Sequence, residues 1–147
     1  MNNIRKLILL VVILQCLLVY HPIRAESVNF VVIVNKTNPI EAISLGELAG
    51  IYEGSKTKWS EDSEITAINR PADSPIRAVF YKTVLGAEPT KKFYVSGTPL
   101  PFKTIVQESA KATKLLVARM PNAIAYIYAD EIDDSVKSIE IRGLSKP

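Results

Sequence analysis

The sequence predicts an α/β domain with a mainly parallel sheet flanked by helices. β-Branched runs suited to strands, such as Val28–Val34 and Ala123–Tyr128, alternate with stretches whose apolar residues recur every three or four positions. Two of those periodic stretches open on cap signals: Ser44 with Glu47 three residues on, and Ser74 directly before Pro75. No repeat, linker or low-complexity tract interrupts the alternation, so a single layered core is expected.

Each element follows from local chemistry. Val28–Val34 is a buried-strand pattern that ends at Asn35, and Thr37, Asn38 and Pro39 form a turn. Ser44 and Glu47 have the spacing of a capping box; Leu45, Leu48, Ala49 and Tyr52 then fall on one helical face, and Gly54 stops the helix. In Glu64–Asn69, Ile65 and Ala67 alternate with polar residues until Ile68 breaks the pattern, so a short strand is expected. Ser74 and Pro75 start a second helix whose stripe is Ile76, Val79, Phe80 and Val84, ending at Gly86. The segment Pro89–Tyr94 fits neither period, and a loop holding Gly97, Pro99 and Pro101 follows. A third helix is expected from about Gln107 to Arg119, with Ala112, Leu115, Leu116 and Met120 toward the core and Pro121–Asn122 as its stop. Ala123–Tyr128 and Val136–Ile141 supply the last strands.

The amino terminus has a different character. Arg5 and Lys6 precede the apolar run Leu7–Leu14; Gln15 and Cys16 interrupt it lightly, Leu17–Tyr20 extend it, and His21, Pro22 and Arg24 end it before Ala25. A charged start, a short apolar middle and a small residue at the end form the pattern of a secretory signal peptide cut after Ala25. A retained anchor is the competing reading, although the run falls short of the ~20 residues a span needs. Cys16 suits lipid attachment poorly, because Gln15 precedes it and apolar residues follow. The expected organisation is therefore a signal peptide over residues 1–25 and one exported domain over 26–147.

Removing the leader excludes several chemistries. Arg5, Lys6 and Arg24 account for three of the 18 basic residues and no acid lies with them, so the rest balances 15 against 15. Such a surface lacks the clustered basic charge that nucleic-acid binding requires. Cys16 and His21 are the sole cysteine and histidine of the chain, and both lie in the leader. What remains has no base for Ser–His or Cys–His catalysis and no ligands for a zinc site of the His/Cys kind. The acids Glu61, Asp62 and Glu64, and Asp130, Glu131, Asp133 and Asp134, look like solvated turns; the second group lacks the spacing and glycine of a calcium loop. No metal or cofactor is expected, and no enzymatic activity.

The stretch Asn69-Arg70-Pro71-Ala72-Asp73-Ser74-Pro75-Ile76-Arg77 joins a strand end, a short loop and a helix start. Amides at a helix start carry partial positive charge, Ser74 adds a hydroxyl, and Arg70 and Arg77 offer paired donors, so Arg70, Ser74 and Arg77 are the candidate anion-binding residues. The bland alternative is a simple cap at Ser74, with the arginines paired to Asp73 or nearby acids; Pro75 has no N–H to give. Trp59, Tyr126, Tyr128, Phe93 and Tyr94 fit packing better than ligand stacking, and Lys91 and Lys92 fit a solvated face.

A family resemblance adds to this reading. Val34-Asn35-Lys36-Thr37-Asn38-Pro39, Leu45-Gly46-Glu47-Leu48, Ile51-Tyr52-Glu53-Gly54 and Trp59 resemble the phosphate ABC transporter substrate-binding family. Arg70, the run Asp73–Arg77 and Phe80 stand where that family has Arg, then Ser-Gly-Thr-Arg and Phe, and Pro121–Tyr126 resembles its Pro-Gly-Ala-Ile-Gly-Tyr segment. The resemblance implies one lobe of a type II periplasmic-binding-protein-like fold, a periplasmic location, a phosphate-like oxyanion as ligand and a membrane transporter or sensor as partner. A second copy of the chain is the further partner it suggests. Two departures bear on affinity: Pro75 and Ile76 replace Gly and Thr, which removes one backbone donor and one hydroxyl. A protein-interaction module that keeps the fold without the ligand is the alternative function.

Overall fold

The computed structural model describes residues 29–95, 98–99 and 105–144. The expected signal peptide, Val28, Gly97 and Pro101 lie outside them. The elements are β1 (Phe30–Val34), β2 (Ala42–Ser44), α1 (Leu45–Glu53), β3 (Lys58–Ser60), β4 (Ser63–Glu64) and β5 (Thr66–Asn69). There follow α2 (Pro75–Phe80) running into a π-helical turn (Tyr81–Leu85), then β6 (Tyr94–Val95), β7 (Thr98–Pro99), β8 (Ile105–Val106), α3 (Ala110–Arg119), β9 (Ala123–Tyr128), a 3₁₀ turn (Ala129–Glu131) and β10 (Lys137–Arg142).

Six strands form one sheet in the order β2-β10-β1-β9-β5-β8, and two small ribbons, β3-β4 and β6-β7, lie apart from it. Three of the five neighbour pairings are parallel, namely β2 with β10, β5 with β9 and β5 with β8. β1 runs antiparallel to both of its neighbours, from Phe30 opposite Tyr128 to Val34 opposite Ile124 on the β9 side. The fold is thus an α/β sheet flanked by helices, with its first strand inverted.

The unbroken apolar character of β1 and β9 has a direct cause: both faces of the sheet are covered. Phe30, Val32, Val34, Ile124 and Tyr126 join Leu48, Ile51 and Tyr52 of α1 and Ile76 and Phe80 of α2 in one core. Ile33, Ala123, Ala125 and Ile127 face the other way, with Ala110 and Val117 of α3 and with Val136. On the first face Phe80 stacks on Tyr126 at 3.9 Å between centroids and meets Tyr52 and Phe30 edge-on at 4.7 and 5.3 Å. This aromatic cluster fixes α2 against the central strands β1 and β9.

The caps behave as their residues dictate. Ser44 and Glu47 form a complete capping box, and Gly54 closes α1 in the left-handed region at φ 83°. Ser74 caps α2, and Gly86, also left-handed, ends the π-helical turn. Asn35, buried at the end of β1, donates to the carbonyls of Val117 and Ala118 and so terminates α3 from across the fold.

The expected face of α3 needs correction. Ala110, Thr113 and Val117 are its buried residues, Leu116 and Met120 pack partly, and Leu115 is 50% exposed. Thr113 can occupy the core because its hydroxyl donates to the Ser109 carbonyl at 2.9 Å, which leaves only the methyl to be buried. Trp59 packs at the core edge and donates its indole N–H to the Asn122 carbonyl at 3.0 Å, a structural role.

Candidate functional site

The parallel strands β5 and β8 lie side by side, with Asn69 opposite Val106. From their carboxyl ends the chain leaves in opposite directions: α2 covers one face of the sheet and α3 the other. Neighbouring strands whose connections diverge in this way leave a crevice at the sheet end, the usual ligand position in open α/β folds. Arg70, Ser74 and Arg77 all lie between the end of β5 and the first turn of α2, joined by hydrogen bonds.

Arg70 follows β5 immediately and is only 8% exposed. Its Nη2 donates to the Glu108 carbonyl at 2.7 Å, just ahead of α3, so one guanidinium spans the two diverging connections. Arg77 lies on the first turn and a half of α2; its Nη1 donates to the Arg70 carbonyl at 2.7 Å, and its guanidinium lies 4.5 Å from the Tyr81 ring centre. The spacing of four residues along a helix is what puts ring and cation together. Ser74 is half-buried, and its hydroxyl oxygen accepts from the Arg77 amide at 3.4 Å.

Two expectations about this corner turn out differently. Three of the main-chain amides there are already engaged: Ser74 N–H is bound by the Pro71 carbonyl, and those of Arg77 and Ala78 by the Ser74 carbonyl. Nor do the arginines pair with Asp73, which is exposed; ion pairs lie elsewhere, as in Lys56–Glu47, Lys114–Asp133 and Lys137–Glu41. The unmet donors are instead on the side chains. Arg70 Nε, Arg70 Nη1 and Arg77 Nε are buried and have no hydrogen-bond partner among the described residues. Each buried donor left this way costs about 1–3 kcal/mol, and more where it belongs to a charged group. Two guanidinium groups with three unmet donors are a donor set suited to an anion.

Beneath the arginines is a buried polar network that the sequence did not single out. Asn69 accepts from the Arg70 amide at 2.9 Å and from the Tyr126 hydroxyl, and donates to the Tyr81 hydroxyl at 2.8 Å. The Arg70 amide also reaches the Tyr126 oxygen at 3.3 Å. Burial pushes the Tyr126 phenol above its ordinary pKa, so it stays a neutral donor. An asparagine in the last, fully buried position of a strand was the available signal, since such a side chain must find partners.

Comparison with known proteins now adds the family. A model described as a PBP superfamily domain matches residues 21–144. The chain belongs to that family. Over 117 residues it is 33% identical to the phosphate-binding protein PstS of Bacillus subtilis (strain 168), covering 76% of this chain and 35% of that protein. An ABC-type phosphate transport receptor from Vibrio cholerae superposes with a TM-score of 0.66 at 26% identity, over 82% of this chain and 50% of the receptor. A putative phosphate ABC transporter substrate-binding protein with bound phosphate from Clostridium perfringens gives 0.63 at 26% identity, over 80% and 46%. This PBP-superfamily chain therefore spans about half the length of these solved relatives and about a third of the curated one. Among the described residues no helix is long and apolar enough to cross a membrane, and no cluster of three or more His, Cys, Asp or Glu is placed to hold a metal.

Proposed function

We propose that this chain is an exported solute-binding module, not an enzyme, which holds a phosphate-like oxyanion between Arg70, Arg77 and the Ser74 hydroxyl. The carrying observation is the set of three buried guanidinium N–H groups with no partner, at a crevice flanked by two helix starts. An oxyanion would accept all three and neutralise the repulsion between the two cations. The basic, then apolar, then small-residue pattern over residues 1–25 supports export to the periplasm and leaves residues 26–147 as the working domain. Relatives named as a phosphate transport receptor and a phosphate ABC transporter substrate-binding protein support a membrane transporter as partner.

The affinity of this module is modest. Pro75 and Ile76 remove an amide and a hydroxyl from the family's motif, and each such loss costs ~1.5–3 kcal/mol toward a charged ligand. Together they amount to about a hundredfold or more in Kd. A second lobe, from another chain or from a second copy, would supply the opposite wall of the cleft. The test is thermal: phosphate at a hundredfold excess over Kd should stabilise the protein by about 2.7 kcal/mol, a Tm rise of several degrees. Arg70→Ala should abolish that rise. A melting temperature indifferent to phosphate and sulfate, together with capture of a transporter or sensor subunit, would support the second reading. In it the engaged amides and Pro75 mark a lobe kept for protein contact alone.

A further inference from the structure

We infer that Asn69 is a positioning residue which sets the placement of the two guanidinium groups relative to each other. This rests on the anion-site reading above for its purpose, but its geometry stands independently. Arg77 is anchored at two points, the Arg70 carbonyl under its Nη1 and the Tyr81 ring under its plane. One amide side chain is bonded beside the first anchor and directly to the second. The Asn69 oxygen accepts from the Arg70 N–H and so fixes the peptide that leads into Arg70, next to the carbonyl that Arg77 grips; the Asn69 NH₂ donates to the Tyr81 hydroxyl. Asn69 is in turn clamped by the Tyr126 hydroxyl, itself held in the stack with Phe80. Asn69, Tyr81 and Tyr126 are all buried, so a lost partner here is costly.

The π-helical turn is part of the same device. It begins at Tyr81, whose carbonyl accepts from the amides of Gly86 and Ala87. Local departures of this kind are frequent at functional sites, and here the turn starts at the residue that carries the Arg77 cation. An anion that bridges two guanidiniums needs their spacing held to a fraction of an ångström. Asn69, bonded beside one anchor and to the other, couples the two. Leucine at position 69 would fill the space without making either bond.

The test is selective NMR of the arginine Nε–H groups in the 26–147 protein, read with and without inorganic phosphate. The unaltered protein should give two distinct, slowly exchanging signals for Arg70 and Arg77, both shifted by phosphate. In Asn69→Leu the Arg77 signal should move or collapse into the solvent-exchanging group, and phosphate affinity should fall about tenfold. Should that variant fold poorly, Tyr81→Phe keeps the ring under Arg77 and removes only the hydroxyl that Asn69 grips; the Arg77 signal should again move. Unchanged signals in both folded variants would overturn the proposal whatever phosphate does. Signals that move with the mutations but ignore phosphate would sustain the positioning role and refute the anion site itself.

Discussion

A guanidinium buried without an acid is an unusual expense for a fold, and Arg70 carries two of its donors unmet. Removing the charge while keeping the stem should therefore not harm the ligand-free protein. For Arg70→Met we expect a melting temperature at or above that of the unaltered chain without phosphate, because relief of two unmet donors offsets the lost bond to the Glu108 carbonyl. The phosphate-induced rise should vanish in the same variant. Arg70→Lys should keep the charge but lose the fork, weakening phosphate binding by about tenfold or more in calorimetric titration. A large loss of stability in Arg70→Met would mean that the arginine is structural. At this scale the sequence was partly legible: Arg70 and Ser74 both hydrogen-bond Arg77, so the three residues picked out by spacing do come together. Asn69, Tyr81 and Tyr126 were not legible, because their roles depend on strand pairing and on a π-helical turn that no local pattern announces.

Among the elements, α1 shows how far local chemistry reaches. Its capping box and glycine stop could be read from three residues, and each forms as expected. Ser44→Ala should lower stability by about 1 kcal/mol in denaturant unfolding, since the Glu47 amide loses its acceptor. The hydrogen bond from Lys56, with those from Ser44, holds the Glu47 carboxyl at about 2, below its ordinary 4.5. A depressed carboxyl favours the folded state above its unfolded pKa, and that contribution is lost as pH falls from about 4.5 to about 2. Glu47→Gln should accordingly flatten the acid side of the stability profile in that window, and an unchanged profile would show the cap to be inert. β2 escaped the sequence reading because three residues give no period and their partner, β10, lies almost a hundred positions later. The face of α3 was misread for a related reason: pattern matching favours Leu115 over Thr113, whereas a back-bonded threonine buries more readily than its polarity suggests.

For the molecule as a whole, one sheet is shared by two cores, so neither can melt alone. Phe80 is fully buried on one face and Val117 on the other. Phe80→Ala should cost about 3–5 kcal/mol, and Val117→Ala about 1.5–3 kcal/mol. Both should shift a single calorimetric transition; two separable transitions would contradict a shared sheet. The alternation of strands and helices made the α/β class legible, and β1 differed because strand direction is fixed by the path of the chain, which a run of valines does not record. That same path sends α2 and α3 to opposite faces and opens the crevice where Arg70 and Arg77 meet. Titration calorimetry of residues 26–147 with inorganic phosphate tests the consequence most directly. Saturable heat at one phosphate per chain, absent in Arg70→Met, is the expected result. No heat with phosphate or sulfate at millimolar concentration would contradict an anion site at this crevice.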